Sequence, residues 1–220
     1  MKIFLLTQPD AFYIPKLLCK FCEEVDDNIQ IAGAAVLKGE IAAKNISDYI
    51  RLLGMRGVLL NGFEFARYKA LDLIDKSVEL SGVYSVRGAL RANDIPEMTP
   101  QSINDEAFHQ KLIAEGVELA VSVACPQIVR KPLLNLLPEG VINIHGALLP
   151  KYRGKLPSFW VLANDEEETG VTVHYMNEKL DDGPIIVQKK VPISPQDTLH
   201  SLVLKYKVGY GASVLAEAIH

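Results

Sequence analysis

Apolar residues in this chain fall into short unbroken runs, separated by longer stretches where they recur every three or four positions. A continuous apolar run suits a strand buried on both faces, and the wider spacing suits a helix with one buried stripe. On that reading Lys2 to Thr7 is a strand, Gln8-Pro9-Asp10 a turn, and Ala11 to Val25 a helix. Ile29 to Leu37 is a second strand. The stretch from Ile46 to Leu80 is mostly helical, with Leu59, Phe63, Leu71 and Ile74 available for a core face. Tyr84 to Asn93 is expected as a helix, Ile95 to Met98 as a short strand, and Ser102-Ile103-Asn104-Asp105 as the lead into a helix ending near Glu115. Leu119 to Ala124 is a buried strand, Pro132 to Leu137 a short helical turn, and Val141 to His145 a further strand. Thr169 to Met176 and Pro184 to Val191 form a β-hairpin, and Thr198 to Ile219 a closing helix capped near Asp197 or Thr198. The alternation predicts an α/β fold: a Rossmann-like, doubly wound, mostly parallel sheet with a β-hairpin and a closing C-terminal helix. With no repeat or linker visible, residues 1–220 are expected to form a single domain.

Composition narrows this picture only slightly. The 220 residues are 49% hydrophobic with a mean hydropathy of +0.13, an ordinary composition for a chain that buries a substantial core. No apolar run is long enough to span a bilayer, and the N-terminus enters a strand without a secretory pattern. A cytoplasmic protein is the expectation. A net charge of −4 and a pI near 5.8 weigh against a broad nucleic-acid-binding surface. Of the three cysteines, Cys19 and Cys22 lie inside a helical pattern without a second ligand pair, so core packing is expected rather than a metal site.

The polar residues that stand out are Asn143 and His145, in the strand Gly140-Val141-Ile142-Asn143-Ile144-His145. Successive strand side chains alternate faces, so these two project to one side at the strand's carboxyl end. Burying an amide and an imidazole is costly unless both are hydrogen-bonded, and a carboxylate from the Asp181-Asp182-Gly183-Pro184 turn is a suitable partner. An amide, an imidazole and a carboxylate are also the groups that acyl transfer requires. Ligands of open α/β sheets bind outside the strands' carboxyl ends, which is where the loop from Gly146 to Gly154 begins. By itself, however, an Asn–His pair also suits a strand end whose polar groups are merely hydrogen-bonded in the core.

The combined pattern resembles the folate-dependent formyltransferase family, which includes glycinamide ribonucleotide transformylase, methionyl-tRNA formyltransferase and the sugar N-formyltransferases. The resemblance rests on Asn143-Ile144-His145, Leu148-Leu149-Pro150-Lys151-Tyr152-Arg153-Gly154, Thr169-Gly170-Val171-Thr172-Val173-His174 and Leu180-Asp181-Asp182-Gly183, in the family's order. It implies a catalytic trio of Asn143, His145 and Asp181 and no metal site. Asp182 occupies a variable position and reads as a solvated turn residue, and His174 has a family counterpart near the pocket. The implied formyl donor is 10-formyltetrahydrofolate. Its pterin would be lined by Cys125, Pro126, Gln127 and Ile128, with Asn177, Glu178, Lys179 and Leu180 closing the other side.

The mechanism implied is attack of a primary amine on the formyl carbon, with Asn143 and a protonated His145 stabilising the developing oxyanion and Asp181 accepting a proton. Thr7-Gln8-Pro9-Asp10-Ala11-Phe12 lacks the glycine-rich phosphate loop of the purine enzyme, and the residues after Asp181 leave no room for a tRNA-binding domain. The expected acceptor is therefore an amino sugar, free or nucleotide-linked, without a nucleic-acid or membrane partner. The alternatives are a methionyl-tRNA or glycinamide ribonucleotide acceptor, or a folate-binding module without catalysis. The β-rich C-terminal runs and the final helix are the candidate surface for a homodimer.

Overall fold

The computed structural model describes residues 1–38 and 83–220, together with helical positions between 62 and 74. In chain order the described elements are β1 (Lys2–Thr7), α1 (Ile14–Glu24), β2 (Gln30–Val36), α2 (Val86–Ala92), β3 (Glu97–Met98), α3 (Glu106–Ala114) and β4 (Leu119–Val123). There follow α4 (Lys131–Leu134), β5 (Val141–His145), α5 (Pro157–Ala163), β6 (Glu168–Tyr175), β7 (Ile185–Pro192), α6 (Leu199–Leu204), a π-helical segment (Lys205–Gly211) and α7 (Ala212–Ile219).

All seven described strands join one sheet in the order β3-β2-β1-β4-β5-β6-β7. The first five are parallel; β6 runs antiparallel to β5 and to β7. The expected doubly wound, mostly parallel sheet is thus present, and the expected hairpin extends it. Alternation along each strand splits the core into two layers. Ile3 and Leu5 of β1 and Val121 of β4 pack with Leu17 of α1, Leu90 of α2 and Leu215 of α7. Phe4, Leu6 and Ala120 point the other way, to Phe108 and Leu112 of α3 and Leu133 of α4.

Several local expectations need correction. Phe63 is 71% exposed and Ile74 47%, so neither supplies a core face, and Leu59 lies outside the described residues. The closing helix is not one α-helix, because residues 205–211 widen to π geometry between α6 and α7. Helix α5 was not anticipated; it starts at Pro157, whose fixed φ and missing N–H suit a first helical turn. No helix among the described residues is long and apolar enough to cross a membrane.

Candidate active site

β5 carries the centre of the site. Val141 packs with the α3/α4 layer and Ile142 with the opposite one, so alternation sends Asn143 and His145 to the α3/α4 side. Strand register then lines up two polar rows. Asn143 is paired with Ser122 of β4 and with His174 of β6, while His145 is paired with Thr172 of β6, itself opposite Gln188 of β7.

The first row has one consistent hydrogen-bond assignment. His174 Nδ1 lies 2.8 Å from the Tyr175 carbonyl, which can only accept, so Nδ1 carries a proton. In the neutral ring Nε2 is then an acceptor, and Asn143 Nδ2 donates to it across 3.3 Å. Asn143 Oδ1 accepts from Ser122 Oγ at 2.8 Å. Asn143 therefore keeps one of its two amide hydrogens for a further partner.

The second row anchors the loop that follows β5. Thr172 Oγ1 donates to the Ala147 carbonyl at 2.6 Å and accepts from the Leu149 N–H at 3.3 Å. Gln188 Nε2 donates to Thr172 Oγ1 at 2.8 Å and to the Leu149 carbonyl at 3.0 Å. The loop turns back far enough for the Tyr152 carbonyl to accept from His145 Nε2 at 2.8 Å. That bond fixes the proton on Nε2 and leaves Nδ1 of the neutral ring as a lone pair.

Asp181 arrives from the β6–β7 turn, at a left-handed φ of 46°. Its Oδ2 accepts from the Gly154 N–H at 2.8 Å and lies 3.5 Å from His145 Nδ1; its Oδ1 lies 3.6 Å from His174 Nε2. The turn is clamped on both sides. Arg153 pairs with Asp182, which is therefore no freely solvated turn residue but a tie between two loops. Gly183 lies so close to the Tyr175 backbone that a Cβ there would overlap its carbonyl oxygen.

Burial and charge act in opposite directions on these groups. Burial pushes His145 down, while Asp181 and the Tyr152 carbonyl raise it and His174 lowers it further; the net result lies below the ordinary value. The expectation of a protonated His145 is thus corrected: at 6% exposure desolvation outweighs the nearby carboxylate. Burial pushes the Asp181 carboxyl up, yet the two imidazoles and the Gly154 N–H together hold it below the usual range. In the resting site the carboxylate therefore relies on the Gly154 N–H, and the two imidazoles favour it as they gain protons.

Of the residues expected at the pterin, Cys125, Pro126, Gln127 and Ile128 follow β4 directly, next to the strand of Asn143. The Gln127 side chain accepts from the Ile103 N–H at 2.9 Å and donates to the Gln101 carbonyl at 2.9 Å. It therefore ties this loop to the segment that leads into α3. Burial raises the Cys125 thiol to about 11, consistent with a wall residue and not a nucleophile. Asn177, Glu178, Lys179 and Leu180 form the turn that delivers Asp181, with Asn177 Oδ1 accepting from the Lys179 N–H at 2.9 Å. Ile128 and Leu180 are 79% and 66% exposed. Hollows of about 420 Å³, at the strands' amino ends, and about 280 Å³, behind Leu148–Tyr152, are lined by neither Asn143, His145 nor Asp181. No cluster suited to a metal occurs among the described residues.

Sequence reading missed Ser122, Thr172 and Gln188 as partners of the site. The alternation of Thr172 and His174 was a usable signal, since both must share a face; nothing in the sequence marked Gln188.

A formyl transferase family model matches residues 75–217. The methionyl-tRNA formyltransferase of Thermodesulfovibrio yellowstonii is 40% identical over 125 residues, which is 57% of this chain and 40% of that protein. That of Pelobacter propionicus is 39% identical over 128 residues, again 40% of its length. The match thus spans about two fifths of these relatives. The fold is shared with glycinamide ribonucleotide transformylase 1 from Symbiobacterium toebii, at a TM-score of 0.65 and 20% identity over 100% of this chain and 85% of that one. It is also shared with a sugar N-formyltransferase from a Shewanella species, at 0.55 and 22% identity over 100% and 70%. With its characteristic motifs inside the matched region, the chain belongs to the formyl transferase family.

Proposed function

We propose that this protein transfers a formyl group from 10-formyltetrahydrofolate to a primary amine on an amino sugar, free or nucleotide-linked. The observation that carries the reading is the Asp181 carboxylate held between two imidazoles, beside an Asn143 amide with one hydrogen to give. The donor supplies an activated formyl carbon. Asn143 Nδ2 stabilises the formyl oxygen as charge develops on it. Asp181 accepts the proton of the attacking amine and shares it with His145 Nδ1, which already faces it. The imidazolium so formed has both N–H groups bonded, one to Asp181 and one to the Tyr152 carbonyl. The site is therefore preorganised to gain one proton and hold it for the leaving nitrogen of the folate.

The choice of acceptor rests on the first strand–helix turn. Asp10 Oδ1 accepts from the backbone N–H groups of Phe12, Tyr13 and Ile14 at 2.8, 2.6 and 3.0 Å. These are the donors that would otherwise hold a phosphate at the start of α1. This disfavours a phosphoribosyl acceptor bound there, and the net charge of −4 disfavours a nucleic acid. A methionyl-tRNA acceptor is the second reading, favoured by the 40% identity to enzymes of that name.

The test is release of tetrahydrofolate from 10-formyltetrahydrofolate in the presence of amino-sugar nucleotides, methionyl-tRNA or glycinamide ribonucleotide. Turnover with an amino sugar supports the first reading, and turnover only with the tRNA replaces it with the second. Binding of the folate without turnover on any amine makes the chain a binding module.

A further inference from the structure

Asn143 and His145 face the site, so alternation turns Ile144 and Gly146 to the opposite side of β5. What meets them there is the π-helical segment Lys205–Gly211. The Tyr206 ring lies flat enough on Gly146 that a Cβ at that position would overlap it. The ring is 5% exposed, and its hydroxyl accepts from Ser158 Oγ of α5 at 3.0 Å. At the far end of the segment, a Cβ on Gly211 would come within 3.3 Å of Ile144 Cδ1 and 3.2 Å of Leu17 Cδ1. Two glycines therefore permit the close approach, one on each partner.

The helical geometry explains how one segment touches both positions. In an α-helix, residues five apart point about 140° away from each other, at 100° per residue. The wider π turn bonds residue i to i+5, so Tyr206 and Gly211 come to lie on one face. Single-turn π segments carry a cost in hydrogen-bond geometry and occur often at functional sites. Here the widened turn coincides with the two residues that support the back of the His145 strand.

We propose that the π-helical segment positions the catalytic strand from behind, with Tyr206 as a positioning residue that sets His145 through Gly146. It rests on the reading of His145 as the proton-holding group. The ring fixes the height of the backbone at Gly146, where β5 ends and the loop carrying the Tyr152 carbonyl begins. The Ser158 hydroxyl holds the ring's outer end and so ties α5 and the C-terminal segment to the end of the strand that carries the imidazole.

The test combines Gly146→Ala, Tyr206→Ala, Tyr206→Phe and the double variant Gly146→Ala/Tyr206→Ala in the full chain, reading the His145 imidazole by NMR titration and formyl transfer by kcat and KM. A methyl at Gly146 collides with the ring, so Gly146→Ala should shift the His145 titration and lower kcat by one to two orders of magnitude. Removing the ring in the double variant should restore at least tenfold of that loss. Tyr206→Phe should alter the His145 titration less than Tyr206→Ala. The proposal is overturned if folded Gly146→Ala and Tyr206→Ala leave the His145 signals where they are, or if the double variant shows no rescue. A wild-type protein that transfers no formyl group, but whose His145 titration responds as described, would remove the proposed reaction and keep the support.

Discussion

At the scale of single residues, Asp181 decides the charge of the site. Its carboxyl is held below the ordinary range because the Gly154 N–H, together with the charge that either imidazole gains on protonation, outweighs its burial. Replacing it with asparagine preserves the shape and an acceptor for Gly154 while removing the charge. If Asp181 is the proton acceptor, Asp181→Asn should lower kcat by about 10²–10⁴-fold, the usual worth of general-base catalysis. The same change removes the group that raises His145, so the imidazole should titrate at a still lower pH. A single-turnover assay and an NMR titration of one variant test both statements; an unchanged kcat would end the role assigned to Asp181. Asn143→Ala should cost about 10²–10³-fold in kcat, the loss expected from one oxyanion donor. Gly183→Ala tests the turn that delivers Asp181. Its methyl would meet the Tyr175 backbone, which cannot give way as a side-chain tip can. A loss of about 1–3 kcal/mol in chemical denaturation is expected, the range for forced overpacking.

Among elements, the antiparallel strand β6 does the most to build the site, since it supplies His174 to one polar row and Thr172 to the other. Thr172→Val keeps the volume but removes the hydroxyl that holds Ala147, Leu149 and Gln188. Leaving the Ala147 carbonyl and the Leu149 N–H unpartnered should cost about 1–3 kcal/mol. If the loop also carries the Tyr152 carbonyl out of place, KM should rise with the loss of stability; denaturation and steady-state kinetics on one variant separate the two. The sequence showed β6 as a strand because Thr-Gly-Val-Thr-Val-His is β-branched and alternating. It did not show β6 beside β5, because strand order is set by long-range packing that local periodicity does not encode. The same distinction runs through the fold. Val141–His145 was legible to the residue, as a short run ending in two polar side chains of matching parity. Helix α5 was overlooked because Pro157 and Ser158 read as loop, although proline is at home in a first turn. The π turn was not legible either, because Lys205–Gly211 keeps an ordinary helical composition. In the site, motif residues were legible as positions. The charge state of His145 was not, because it depends on burial by elements distant in sequence.

For the whole molecule, burial of His145 and the pairing of Asp181 link stability to pH in the same direction. A histidine whose folded pKa lies below the ordinary 6.5 binds protons more readily when unfolded. Stability is therefore full above about 6.5 and declines as pH falls from there towards the folded value. A carboxylate held below its ordinary 3.8 contributes stability above that value and loses it as pH falls through the folded pKa. Asp197 adds to this acid arm: Lys205, the Ser194 N–H and Ser201 lower it to about 2, against a small opposing effect of burial. The melting temperature should accordingly fall in two steps, one beginning below pH 6.5 and one below pH 4. His145→Gln removes the first titration and should flatten the upper step, even if its neutral-pH melting temperature drops. Asp181→Asn should deepen the upper step, because His145 is lowered further without the carboxylate, and shrink the lower one, with Asp197 supplying the remainder. Thermal melts of wild type and both variants between pH 3 and 8 distinguish these contributions. A wild-type melting temperature that stays level from pH 7 to 5 would mean that burial does not lower His145, and one that rises as the pH falls over that range would return to it the charged resting form that the sequence alone suggested.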